Sequence, residues 1–163
     1  MTSLPAPGLE HIADLTVQVA APIEAGQIIG LNSRGRRRII PITGGQLSGP
    51  RLRGRVLPGG ADFQLVVSAT TTDLDARYLL ALEGAPHDGE HIFVQNHALR
   101  RGSADDIAKL VRGEPVDRDA IYFRCIPTFE VSSPTLAWLT ESLFLGTGAR
   151  YPDRVEMSFF RIA

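Results

Sequence analysis

The chain has 163 residues, with 17 basic against 18 acidic side chains and 44% hydrophobic residues. That length suits one domain with a sizeable core, and a net charge of −1 gives no reason to expect nucleic acid or an anionic membrane as partner. The single cysteine, Cys125, excludes an internal disulfide framework and a cysteine-based zinc site, and it permits a reducing compartment.

The opening MTSLPAPGLEHI has neither a basic n-region nor an apolar h-region, and no uncharged run approaches membrane-spanning length. The expectation is a soluble, cytoplasmic protein, one unit over 1–163 with residues 1–8 as a flexible lead. Leu9 to Ala20 alternates in its second half, with Leu15, Val17 and Val19 set against Thr16, Gln18 and Ala20, as a strand with one buried face does. Pro22 ends it, and Gly26 and Gly30 punctuate a short second piece. Arg34, Arg36, Arg37 and Arg38 form the one basic cluster, which reads as a charged edge or turn that resists aggregation. Arg36 to Ile42 is a strand entering the Gly-rich centre of the chain.

That centre, GGQLSGPRLRGRVLPGGADFQ over 44–64, reads as two strands with a sharp bend. Gly49-Pro50 and Gly54 fall where a side chain or ladder N–H is unwelcome, as at bulges and barrel corners, and Pro58-Gly59-Gly60 is expected to turn the chain. Asp62 and Gln64 open the next strand on one face, with Phe63 and Leu65 on the other. Two readings stay open for that pair: facing water on a curved hairpin, or pointing into a cavity.

From Asp73 to Glu83 the alternation is plain. Leu74, Ala76, Tyr78, Leu80 and Leu82 share one face, and Asp73, Asp75, Arg77, Leu79 and Ala81 the other. In Glu90 to Arg100, Ile92, Val94, Asn96 and Ala98 face one way and His91, Phe93, Gln95 and His97 the other. Both faces mix polar with apolar residues, as suits a strand between an outer layer and a polar interior. Ser103 with Asp106 three residues on makes a weak capping box, and Ile107, Leu110 and Val111 form the stripe of a short amphipathic helix ended by Gly113 and Pro115. Ala120 to Val131 resumes as strand. Ser133-Pro134 then opens a second short helix to Leu143, with Leu136, Leu139 and Leu143 on one face. Phe144 to Gly148 and Arg154 to Ile162 close the chain as strands. Eight to ten strands against two short helices predict an all-β, antiparallel single barrel, favoured over a two-sheet sandwich because closure removes exposed edges; about eight strands can enclose one small ligand.

The blocks GG, GP, LPGGAD, DARY, YFR, P-x-FE and GTG, in this order along nearly the whole chain, together resemble the domain-of-unknown-function family 3237 of small bacterial proteins. The resemblance implies a single-domain β-barrel with short helical insertions, and by its pattern Asp62, Asp75, Arg77, Tyr78, Asn96, Arg124, Phe129, Glu130 and Trp138 fall on recurrent positions. Phe63 stands where the pattern has tryptophan, and His97 where it has another basic or polar residue. These departures bear on the lining or rim of a pocket, so a relative's substrate need not transfer.

Asp75 and Arg77 lie two apart on one strand face, within reach of each other or of a common ligand group. Two roles are open for Asp75, Arg77, Arg124 and Glu130: a buried ion-pair network that pins barrel closure, or a site where arginine presents its donor fork to a substrate oxygen while Asp62 or Glu130 moves a proton. In the second reading Asp62, Glu130, Arg77 and Arg124 are catalytic, and Gln64, Asp75, Tyr78, Asn96, His97, Phe129 and Trp138 bind substrate or shape its pocket. Tyr78, Phe129 and Trp138 suit a core equally well. The spacings of His11, His87, His91 and His97 match no metal motif, and Cys125 reads as a small buried residue rather than a nucleophile. There is no dinucleotide fingerprint, phosphate-binding lysine loop or nucleophile elbow. The expected function is therefore a cofactor-independent lyase, isomerase or cyclase acting on a small, largely apolar carbonyl or carboxylate compound, with no metal. A non-catalytic binding barrel and a structural or interaction domain are the alternatives, and a homodimer or higher homo-oligomer is compatible with any of them.

Overall fold

The computed structural model describes residues 3–163, and its ten strands form one antiparallel sheet. They are β1 (Leu9–Val19), β2 (Ile23–Ile28), β3 (Gly35–Ser48), β4 (Arg53–Val56), β5 (Ala61–Ser68), β6 (Thr71–Leu82), β7 (His91–Arg101), β8 (Tyr122–Val131), β9 (Phe144–Arg150) and β10 (Arg154–Ile162), with one α-helix, α1 (Ala104–Val111), and three short 3-10 helices. The ladder runs β1-β10-β9-β8-β7-β6-β5-β3, and β3 returns to pair with β1 from Asp14↔Ser48 to Val19↔Ile42, so the barrel closes with eight strands. The two remaining strands extend the ring's own members. β2 continues β1 along β3, pairing Ile23↔Ile39 to Ile28↔Gly35.

The Gly-rich centre folds differently from its expected hairpin. β4 pairs Gly54↔Leu82 and Val56↔Leu80, and β5 continues on the same strand with Ala61↔Arg77 and Asp62↔Ala76. Pro58-Gly59-Gly60 therefore bulges the chain without reversing it: Leu57 N–H donates to Leu79 O at 2.9 Å and Ile42 N–H to Gly60 O at 2.9 Å across the break. The reversal lies earlier, at 49–52 between β3 and β4. Gly54 does sit at a close approach, because an ideal Cβ there would fall 2.1 Å from Ala81 O.

Strand direction gives the barrel two unlike ends. One end gathers the last residues of β1, β5, β7 and β9 and the first of β3, β6, β8 and β10; we call it the mouth. The other is plugged. There the 3-10 helix Pro134–Leu139 sets Leu136 and Leu139 into a core with Leu52, Leu80, Leu82, Ile92, Val94, Phe144 and Phe159. The expected second helix ends at Leu139, and Leu143 lies outside it, 75% exposed. Helix α1 lies at the mouth between β7 and β8. Ser103 caps it as expected, its Oγ accepting from Asp106 N–H at 3.1 Å and donating to Asp106 Oδ2 at 2.9 Å. Residues 3–8 carry no strand and are exposed; residues 1 and 2 of the expected lead lie outside the described residues.

Candidate functional site

Inward and outward positions alternate on every barrel strand, and toward the mouth the inward positions turn polar. A cavity of about 40 Å³ lies there, lined by Asp62, Gln64, Tyr78, Asn96 and Arg150 together with apolar residues that include Val17, Leu74, Phe123 and Val155. Asp62 and Gln64 thus face the interior, which settles their orientation. Arg100 follows Asn96 and Ala98 on the inward face of β7 and is 1% exposed, with its guanidinium 5.9 Å from the Phe123 ring centroid. Arg38 follows the same parity as Ile40 and Ile42 on β3 and is 3% exposed, so one member of the basic cluster is buried instead of forming an edge.

The polar atoms of this wall are incompletely bonded. Gln64 Nε2 donates to Asp62 Oδ2 at 2.9 Å, and Asn96 Nδ2 contacts Met157 Sδ at 3.3 Å. Asp62 Oδ1, Gln64 Oε1, Thr72 Oγ1, Tyr78 Oη, Asn96 Oδ1 and Arg100 Nε and Nη1 are buried with no protein partner. A buried polar atom without a bond costs about 1–3 kcal/mol, so this density marks a place built to meet another molecule or ordered water. Burial pushes the Asp62 carboxyl up from its ordinary range, against the opposing pull of Gln64 and Arg100. Desolvation pushes the Arg100 guanidinium down to about 10, which leaves it charged at neutral pH, and desolvation followed by repulsion from Arg38 lowers Arg150. Burial raises the Tyr78 hydroxyl, which therefore remains a proton donor. Cys125 is buried and its thiol is pushed up to about 11 by burial, which leaves no thiolate for nucleophilic attack.

The remaining residues named from the sequence stand elsewhere. Asp75, Arg77, His97, Arg124 and Glu130 occupy the outer wall, so there is no buried ion-pair network among them. Asp75 Oδ2 and Arg77 Nη2 form an exposed pair at 2.9 Å, His97 Nε2 lies 3.2 Å from Asp73 Oδ1, and Arg124 Nη1 donates to Phe123 O at 2.9 Å. Phe129 lies toward the plugged end, edge-on to Phe144 at 5.1 Å between centroids. Trp138 is there too, under the Arg51 guanidinium at 3.7 Å. Of the named residues, the fold gathers Asp62, Gln64, Tyr78 and Asn96 in the cavity wall and adds Arg150; Arg100, one inward position beyond the lining residue Ala98, and Arg38 are buried next to it, within electrostatic reach. Parity was the signal for Arg100 and Arg38, since Arg100 continues the row from Ile92 to Ala98 and Arg38 precedes Ile40 and Ile42. Among the described residues no cluster of three or more His, Cys, Asp or Glu could hold a metal ion.

The protein is thus a closed eight-stranded antiparallel β-barrel with an apolar floor and a cationic, incompletely bonded wall at its mouth. Residues 7–162 match the model of the family described as protein of unknown function (DUF3237), and the chain belongs to that family. It is 38% identical over 153 residues to a UPF0311 protein of Rhodopseudomonas palustris, covering 94% of this chain and 95% of that one. A UPF0311 protein of Clostridium acetobutylicum is 36% identical over 163 residues, covering 100% and 99%. Among solved structures, a conserved protein of unknown function from R. palustris superposes with a TM-score of 0.88 at 36% identity, over 99% of this chain and 100% of the other. A beta-barrel like protein from Acinetobacter baumannii gives 0.82 at 35% identity over the full length of both chains. An enzyme from Penicillium herquei gives 0.69 at 20% identity over the full length of both, a likeness of fold.

Proposed function

We propose that the barrel is a cofactor-independent enzyme of the lyase, isomerase or cyclase type, acting on a small, largely apolar molecule whose oxygen-bearing end enters the mouth. The observation that carries this reading is the Asp62 carboxyl: buried, held by Gln64 on one oxygen and free on the other, beside the unpartnered donors of Arg100 and Tyr78. A carboxyl whose pKa is raised by burial holds a proton more firmly than an ordinary aspartate and is the stronger base when ionised. Asp62 takes a proton from the carbon beside a carbonyl. The electron pair moves onto the carbonyl oxygen, where Arg100, Arg150 and the Tyr78 hydroxyl stabilise the charge, and Asp62 returns the proton as the product bond forms or a leaving group departs. The fungal barrel of the same fold is called an enzyme, which is consistent with chemistry in this scaffold.

A non-catalytic binding barrel uses the same wall without the proton step, and one substitution separates the two. Incubated in heavy water with a panel of small ketones, enones, hydroxy acids and lactones, the wild type washes deuterium into the position beside the carbonyl of its substrate. Asp62→Asn keeps the ligand's thermal-shift signal and loses wash-in by about 10²–10⁴-fold. Equal wash-in by wild type and variant refutes the catalytic role of Asp62.

A further inference from the structure

The charges at the mouth do not balance. Arg38, Arg100 and Arg150 bring three guanidinium groups into one neighbourhood, where each perturbs the next. Glu24 is spent on the rim, its Oε1 at 2.8 Å from Arg38 Nε and its Oε2 at 3.1 Å from Arg36 Nη1. Asp153 and Glu156 share Arg154 at 3.1 and 2.9 Å, and Asp153 also stabilises the charge of Arg150, so the unanswered cation is Arg100. That leaves Asp62, which balances Arg100 only while ionised, the form its own burial disfavours.

Arg38 and Arg150 have fixed partners. Arg38 Nη2 donates to Val111 O at 3.0 Å, and Arg150 Nη1 donates to Tyr151 O and, at 3.1 Å, to Arg154 O. Arg100 differs. It is 1% exposed, and neither its Nε nor its Nη1 has a protein partner. Water can satisfy such donors but cannot neutralise the charge, and a buried cation without a counter-ion is among the costliest arrangements a protein can hold.

We infer that the missing counter-ion arrives with the ligand, as a carboxylate received by Arg100. This rests on the reading that the mouth binds a small molecule and goes on to name the class: an organic monocarboxylate with an apolar body. The cavity of about 40 Å³ is several times the roughly 10–15 Å³ that holds one water by the same measure, so it admits a group of a few heavy atoms such as a carboxyl head. An inorganic dianion would meet the Asp62 carboxyl, which lines the same cavity. The surrounding Val17, Val19, Leu74, Phe123 and Val155 offer an organic body the apolar contact that an inorganic ion cannot use. Guanidinium and carboxylate then make charge-assisted hydrogen bonds in a site already shielded from water.

Titration calorimetry and thermal shift at pH 7 with benzoate, benzamide and inorganic phosphate test this on the full chain. Benzoate raises the melting temperature and binds at least about tenfold more tightly than benzamide, while phosphate does neither. Arg100→Met removes the preference, leaving benzoate and benzamide alike. Because the methionine replaces an uncompensated charge by apolar volume, the variant melts no lower than the wild type. The wild-type comparison stands alone if the variant fails to fold. Equal binding of benzoate and benzamide, tighter binding of phosphate, no binding of benzoate, or a benzoate preference that survives Arg100→Met overturns the inference. Benzoate binding by a protein that washes no deuterium into any panel member leaves the carboxylate site standing and sinks the catalytic reading; wash-in into a neutral ketone without benzoate binding does the reverse.

Discussion

Replacing Tyr78 by phenylalanine separates a wall built for a ligand from a wall built for stability. Tyr78 is 2% exposed, lines the cavity and belongs to the hydrophobic core, yet its hydroxyl has no protein partner. Phenylalanine keeps the ring, and with it nearly all the buried apolar area, so the change reduces to deleting one oxygen. Burying a hydroxyl without a bond costs about 1–3 kcal/mol judged from mutational data, whereas a satisfied one contributes a net ~1 kcal/mol. The variant is therefore expected to lie between unchanged and about 2 kcal/mol more stable than the wild type. For a domain of this length each kcal/mol moves the melting temperature by roughly 2–4 °C. Urea denaturation reads the difference as a shift in midpoint at constant slope. Ligand affinity should move the opposite way, since a donor aimed at the bound oxygen is gone, and that opposition is what a binding site sacrificing stability predicts. A loss of more than about 1 kcal/mol would show that the hydroxyl is bonded in the resting protein, and the case for an unsatisfied cavity wall would fall with it.

Gly54→Ala pushes a Cβ to 2.1 Å from the Ala81 carbonyl within a paired strand, and urea denaturation should register a loss of about 1–3 kcal/mol; wild-type stability would mean that β4 and β6 separate freely. Ser103→Ala removes the cap of α1 at a cost of about 1 kcal/mol, seen as faster amide exchange at Asp106; unchanged exchange there refutes the cap's role. Asp14 is held below its ordinary range first by the Ser158 hydroxyl, at 2.6 Å, and then by His11. A lowered carboxylate contributes stability above its unfolded value that is lost as pH falls through the folded one. Ser158→Ala should bring the Asp14 titration, followed by carboxyl carbon NMR, back toward the ordinary aspartate value, and an unmoved titration would assign the shift to His11.

Fold class was legible because alternation survives in single strands. The row Leu74, Ala76, Tyr78, Leu80, Leu82 identifies an inward face without any knowledge of its neighbours, and on β6 the structure buries all of them except Ala76, which is half-buried and lines the cavity. What alternation does not carry is direction. Pro58-Gly59-Gly60 has the composition of a tight turn, but the same residues also suit a bulge, and the choice depends on Leu80 and Arg77 of β6 holding Val56 and Ala61 in one continuous line. The second helix was overrun for a similar reason. Leu143 keeps the spacing of Leu136 and Leu139, but the chain leaves the helix after Leu139 to enter β9.

The site was legible where a polar residue shares parity with apolar ones. Asn96 does so, whereas Asp62 and Gln64 share a face opposite the apolar Phe63 and Leu65, so parity alone left them open; all three line the cavity. The same rule places Arg77 outward, because it is the neighbour of the buried Tyr78, and Arg124 outward, because it lies between Phe123 and Cys125. Charge drew attention to those two arginines while parity argued against them. Arg100 had the stronger pattern, standing at the end of the row Ile92, Val94, Asn96, Ala98, and burial of that whole row is what makes it informative. A charged residue on an otherwise apolar strand face is costly unless something answers it. For Arg100 none of the described residues does so through Nε or Nη1, which makes it a more pointed indicator of a ligand than any residue chosen for its charge alone.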